Sequence, residues 1–284
     1  MISRYTSKKR LEELDRIISG KDKAILNSMQ NCRYILTGQI QRLHYADSKT
    51  PASGLRSANW GTAKLRGYGL IEALDRRVGG VRAGSRAFVW SLTESGLGLL
   101  RLNDPDYTPR RRIFEPSLNF LQHTLAATEV YVQLTEICRR HGLALIKTEM
   151  EPNCWRSYTG EDGKPAAMKP DMFAMTDNGK YEDSWFIEVD MNTESPSVVL
   201  DKCRRYVHYC KSGIEQKRYG VFPLVVWLAY SENRKSKLRQ YIADCREMSE
   251  QSKSIFIVIM PDEFETLICG GAEALRKKGE QNSD

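Results

Sequence analysis

Residues 103–116, NDPDYTPRRRIFEP, divide this chain. Three prolines (Pro105, Pro109, Pro116) stop a helix from running through, because proline has no N–H to donate and its ring clashes with the preceding turn. Three consecutive arginines (Arg110, Arg111, Arg112) keep the segment in water. A chain of 284 residues broken at this point leaves two pieces, each long enough to bury a core of its own. The expected layout is a basic tail over 1–20, a first domain over 21–102, a linker over 103–116, a second domain over 117–269 and a polar tail over 270–284.

Charge separates the same two pieces. Residues 1–112 carry 21 basic and 10 acidic side chains, whereas residues 113–284 carry 22 and 26, within a total of +7. A basic half joined to a mildly acidic one is the pattern of a polyanion-binding module attached to a second function. No run approaches about 18 uncharged apolar residues, so neither a membrane span nor a membrane partner is expected. The stretch from Met1 to Arg16 is polar and basic, without the apolar core of a secretory signal. Seven cysteines, an odd number with no CxxC, fit reduced thiols and a cytoplasmic location. Cys203, His208 and Cys210 are close in sequence but fall on different faces of one predicted helix, which argues for buried thiols over a zinc site. No pattern asks for a small-molecule cofactor.

The first half reads as short helices followed by a hairpin. DKAILNSMQN (22–31) has Asp22 as an N-cap and an apolar stripe of Ile25, Leu26 and Met29. Thr37 caps TGQIQRLHY, ADSKTPASG (46–54) is a turn-rich break, and a third helix runs from Leu55 to Arg66. That helix carries Arg56, Asn59, Lys64 and Arg66, with Trp60, Ala63 and Leu65 assigned to its other sides. Two short strands then flank a Gly-rich tip bearing Arg76, Arg77, Arg82 and Arg86, and Thr93 caps a closing helix. This order predicts a winged helix-turn-helix. Arg56, Asn59, Lys64 and Arg66 would read base edges of double-stranded DNA, and the four wing arginines would lie on phosphates or in the minor groove. The alternative is a winged helix that docks protein and shows a solvated basic face.

In the second half, Ser117 caps a long helix that Gly142 ends. Strands follow at 143–150, 171–175 and 185–190, then a helix at 196–211, a strand at 223–230, a helix at 233–248 and a strand at 254–260. An α-β-β-β-α-β-α-β order predicts an α/β domain with a mixed sheet flanked by helices. Trp185, Phe186 and Trp227 read as core, while Trp155 and Tyr158, in a polar loop, are placed to stack on bases. Strand alternation puts Glu188 and Asp190 on one face, and Asp171 stands on the neighbouring strand across a hairpin. Three acids on one face repel one another and are costly to bury without a cation. Converging oxygen ligands suit Mg²⁺ or Mn²⁺, which activates water and stabilises charge on a phosphodiester.

KPDMFAM followed by WFIEVD in an αβββαβ order resembles the PD-(D/E)XK nuclease-like superfamily. With the preceding winged helix, the phrase FIEVDMNTES and a helix bearing Lys202 and Tyr206, residues 22–230 resemble the replication-relaxation family of plasmids and mobile elements. The resemblance implies plasmid replication and DNA relaxation, with Asp171 and Glu188 holding the metal. It also implies a lysine two residues after Glu188, where this chain has Asp190; Lys202 or Lys169 would have to stand in. His123 and Glu129 on the long helix resemble added metal ligands, but six residues is about 600° of turn, so His123 is the better placed. Glu149 is a further candidate ligand. Tyr206, one turn from Lys202, or Tyr209 could hold a 5′-phosphate covalently, as a nicking relaxase requires, or could simply be core.

Two functions from different classes follow. One is a sequence-specific DNA-binding protein that nicks DNA with a divalent metal. The other is a non-catalytic DNA-binding regulator or replication factor, its nuclease-like domain degenerate and used to form a homodimer.

Overall fold

The computed structural model describes residues 6–75, 87–104, 116–160 and 163–281. The chain forms a mixed α/β fold of two compact units, Met1–Val132 and Gln133–Asp284. The proline- and arginine-rich segment at 105–115 and the Gly-rich segment at 76–86, expected to form a wing tip, lie outside the described residues.

The first unit holds α1 (Lys8–Ile17), α2 (Gly20–Cys32), β1 (Ile35–Leu36), α3 (Thr37–His44), α4 (Pro51–Gly67), β2 (Ile71–Ala73), β3 (Val89–Leu92), α5 (Glu94–Asn103) and the first part of α6 (Leu118–His141). The strands form an antiparallel sheet in the order β1-β3-β2. Residues read from sequence as a tail fold instead into α1. Ser7 caps it, and Leu11, Leu14 and Ile18 bury one stripe against Leu97, Leu99 and Leu100 of α5 in the shared core. Ser19, not Asp22, caps α2; Asp22 sits at N3 and its carboxylate accepts from the Ser19 N–H at 2.8 Å, closing a capping box. Thr37 begins α3, but its hydroxyl accepts from the Trp90 indole N–H at 2.9 Å and so satisfies a buried donor.

The second unit is built on a five-stranded sheet ordered β10-β9-β8-β7-β4. Its strands are β4 (Ala144–Met150), β7 (Met172–Asp177), β8 (Glu182–Asp190), β9 (Leu224–Ala229) and β10 (Phe256–Ile259). β4, β7 and β8 pair antiparallel; β8, β9 and β10 pair parallel, so the sheet is mixed. The parallel pairs are joined by α7 (Pro196–Lys211), α8 (Ile214–Tyr219), α9 (Glu232–Asp244) and α10 (Glu250–Lys253). A hairpin of β5 (Arg156–Thr159) and β6 (Pro165–Met168) occupies the segment expected to be a loop. Tyr158 consequently points into the core, with its ring 5.2 Å from that of Tyr209. The chain closes with a short 3-10 turn at 261–263 and α11 (Phe264–Gln281), a helix that bends at Gly271 over residues expected to be a tail.

Both sheet faces are covered. Phe173, Phe186, Val225 and Trp227 on one face pack with Val199, Cys203 and Tyr206 of α7 and with Leu238 and Ile242 of α9. Ile187, Val189, Val226 and Leu228 alternate to the other face and are also buried. This double cover explains the apolar runs MFAM in β7 and LVVWLA in β9, whereas in β8 the acids Glu188 and Asp190 interrupt the run and are buried with it. Gly142, at φ +68°, ends α6 in the left-handed conformation that a side chain would resist. Among the described residues, no helix is long and apolar enough to cross a membrane.

Candidate functional site

In the first unit the candidates converge on α4. Thr50 caps the helix and Pro51 opens it, four residues earlier than the sequence predicts, because Thr50 and Ser53 form a reciprocal cap. Gly54, Ala58, Gly61, Thr62 and Leu65 are buried. Leu55, Arg56, Asn59, Trp60, Ala63 and Arg66 form a continuous solvent stripe. Trp60 and Ala63 therefore share the face of Arg56 rather than lying behind it; positions 56 and 60 are one turn apart. Lys64 turns aside to Asp22, with an N–O distance of 2.6 Å. Burial raises the Asp22 carboxyl, but hydrogen bonds from Lys64 and Ser19 outweigh it and hold the group below its usual value. Glu129 is committed within this unit to Arg42 at 2.5 Å and Gln39 at 3.1 Å. Arg76, Arg77, Arg82 and Arg86 lie outside the described residues.

In the second unit the sheet gathers four candidates. β7 and β8 pair Met172 with Ile187, and just before that pair the Asp171 N–H donates to the Ile187 carbonyl at 3.1 Å. Asp171 is buried and accepts from the Val189 N–H at 2.7 Å. Glu188 is 1% exposed. From α7, one turn apart, Lys202 reaches Glu188 Oε2 at 2.9 Å and the Tyr206 hydroxyl donates to Oε1 at 2.5 Å. Lys202 also contacts Glu194 Oε1 at 2.6 Å. Burial, with Asp171 nearby, pushes the Glu188 carboxyl above the usual carboxylate range although Lys202 opposes it. For Lys202 burial works the other way, yet Glu188, Asp171 and Glu194 together raise its pKa and keep the ammonium charged. The Tyr206 phenol is raised by burial and by the Glu188 carboxylate; it is a fully buried donor, not a solvent-facing nucleophile. Tyr209 is likewise buried and donates to Glu215 at 2.6 Å.

Asp190 does share a sheet face with Glu188 but serves a different partner. Arg234 of α9 grips both its oxygens, at 2.9 and 2.7 Å, and the Asn192 N–H adds a bond at 2.6 Å. Glu149 is held by Lys147 at 2.7 Å and by the buried Arg156 at 2.8 Å; Arg156 reaches on to Glu215 at 2.9 Å. The Lys169 ammonium lies over the Trp155 ring, 4.6 Å from its centroid. His123 belongs to the first unit.

These placements bear on the divalent metal that the resemblance implies. Both Glu188 oxygens and both Asp190 oxygens already carry protein donors, and two of those donors are cations. Among the described residues no group of three or more His, Cys, Asp or Glu is arranged to hold a metal. The residues as placed do not fit the ion; Lys202 and Arg234 supply the positive charge that the buried acids need. The thiols are free and mostly buried, and burial pushes Cys203 up to about 12.

Sequence reasoning missed Arg234 and Glu194. Arg234 is 44 positions from its partner, and no local pattern announces it. Glu194 lies within the phrase FIEVDMNTES, and nothing in that phrase shows that it meets Lys202.

A basic unit whose helix α4 turns Arg56 and Arg66 to solvent, joined to a mixed-sheet unit enclosing a neutralised acid network, defines a two-part α/β protein. The sequence model of the replication-relaxation family matches residues 26–225, most of the chain, and the protein belongs to that family. Membership suggests a role in replication or mobilisation of a plasmid or mobile element. No curated protein and no solved structure matches the chain.

Proposed function

We propose that the protein binds double-stranded DNA sequence-specifically through α4 and acts as a replication or mobilisation factor without cutting DNA itself. The observation that carries this reading is the solvent stripe of α4, where Arg56, Asn59 and Arg66 stand free of the core on one face. Arginine and asparagine are the side chains best matched to guanine and adenine edges in the major groove. The run of α2, β1, α3, α4, β2 and β3 with a β1-β3-β2 sheet is the order of a winged helix-turn-helix, in which the helix at α4 enters the groove. Residues 1–132 hold 21 basic against 12 acidic side chains, a surplus of nine that draws the unit to phosphates.

In this reading the second unit is a PD-(D/E)XK-like scaffold. The α6-β4-β7-β8-α7-β9 order supports the kinship, and the ion pairs on Glu188 and Asp190 support loss of the metal site. Fluorescence anisotropy on duplexes tiled across the parent plasmid tests the proposal. One duplex should bind well above the rest, and Arg56→Ala or Arg66→Ala should weaken it about 5- to 150-fold, the equivalent of about 1–3 kcal/mol per base contact. Equal binding of all tiles, unchanged by both substitutions, rejects it.

A second reading, metal-dependent nicking, draws on one observation: Asp171, Glu188 and Lys202 do converge, with the lysine supplied from α7 instead of β8. Incubation of supercoiled plasmid with Mg²⁺ or Mn²⁺ decides between the two. Nicking that is lost in Glu188→Ala establishes the enzyme; intact plasmid with wild type supports the scaffold.

A further inference from the structure

Beside its stripe, α4 forms one wall of an open depression completed by α2 and the residue that ends α3. The lining brings together two aromatic rings, Trp60 and Tyr45, and three cations, Lys21, Arg56 and Lys64. Trp60 is 69% exposed, far more than any other tryptophan among the described residues. Tyr45 is seated against α4 because position 61 is glycine: a Cβ there would lie 2.5 Å from the Tyr45 hydroxyl. Each ring already attracts a cation. Lys21 Nζ lies 4.7 Å from the Tyr45 centroid and Lys64 Nζ lies 5.2 Å from that of Trp60. The one acid in the lining, Asp22, is committed to Lys64 and to its capping box. Arg56 and Lys21 form no salt bridge among the described residues, so positive charge prevails in the depression.

Exposed ring faces with adjacent cations match a nucleotide: the base stacks and the phosphate pairs. A base inside an intact duplex offers the protein only its edge, since its faces are covered by its neighbours. The open face of Trp60 therefore has no stacking partner on continuous B-DNA. We infer that this depression takes an unpaired nucleotide of the DNA, its base on Trp60 and its phosphate on Lys21. The inference rests on the reading that α4 faces DNA, and it adds that the protein prefers DNA that is locally unpaired. A factor acting where a plasmid is opened would gain from that preference.

The test uses the full-length protein and three probes: a duplex carrying the preferred site, the same duplex with a short unpaired bulge beside the site, and the single strand. Base–aromatic stacking gives about 1–3 kcal/mol per base, so the bulged duplex should bind about 5- to 150-fold tighter than the perfect one. Trp60→Ala should bring that ratio to about 1. Trp60→Phe, which keeps a ring face, should retain most of the ratio but lose the quenching of tryptophan emission that the bulged probe causes in wild type. Equal affinity of wild type for bulged and perfect duplex overturns the inference while duplex binding stands. A ratio that survives Trp60→Ala does the same. Failure of wild type to bind any of the three probes overturns the DNA reading and this inference with it.

Discussion

Two buried carboxylates on one strand, Glu188 and Asp190, are neutralised by different chemistry. Asp190 meets the planar fork of Arg234, which offers two parallel donors and matches both oxygens. Removing that fork leaves a charge uncompensated at 2% exposure. Arg234→Met should therefore cost about 3–5 kcal/mol in chemical denaturation, whereas Lys8→Met, at the exposed Lys8–Glu12 pair, should barely move the midpoint. A small loss for Arg234→Met would mean that Arg234 is not what compensates Asp190. Glu188 has a single ammonium and a phenol, and its carboxyl is raised from 4.5 to about 7. The sign of the pH effect follows directly. Between those values the folded state binds more protons than the unfolded one, so this group's contribution is complete below about pH 4.5 and is lost as pH rises towards 7. Glu188→Gln cannot ionise. The stability difference between wild type and this variant should shift against wild type across that window in thermal melts; a constant difference would show that Glu188 is ionised throughout.

At the scale of elements, α1 shows how a helix hides in a sequence. Of its ten residues, KKRLEELDRI, seven are charged, and that density reads as a solvated tail. Yet Leu11, Leu14 and Ile18 keep the three- and four-residue spacing that buries a stripe. Leu14→Ala should cost about 2–5 kcal/mol, and Ile17→Ala, at a 57% exposed position, close to nothing; equal small effects would detach α1 from the fold. Strands β7 and β9 were legible because they are covered on both faces and read as apolar runs, and β8 because Trp185, Phe186, Ile187 and Val189 mark it around its two acids. The β5–β6 hairpin was not, since Gly160, Gly163 and Pro165 look like loop and its pairing depends on tertiary contacts. The proximity of Asp171, Glu188, Lys202 and Tyr206 was readable from alternation on β8 and from the four-residue step on α7. What those acids face was not, because Arg234 arrives from a helix far along the chain. Trp60 was misread within a single helix, although its four-residue step from Arg56 was in plain view.

For the whole molecule, the distribution of charge decides how DNA would be approached. Residues 1–132 carry a surplus of nine positive charges; residues 133–284, with 22 basic and 24 acidic side chains, are slightly negative. If the protein binds DNA as proposed, the phosphates neutralised by this first unit should set its non-specific affinity. Each phosphate releases condensed counterions, so log K should fall linearly with log salt at about −0.9 per contact. With about six contacts, raising salt from about 50 to about 200 mM should weaken binding on the order of 1,000-fold. Lys21→Ala should reduce the slope by about 1 on the bulged probe, whereas Lys237→Ala, exposed in the second unit, should leave it unchanged. A slope near zero for wild type would remove electrostatic attraction as the source of affinity. An equal loss of slope for Lys237→Ala would show that the second unit touches the backbone too, and that the polarity written into the sequence is not the polarity of binding.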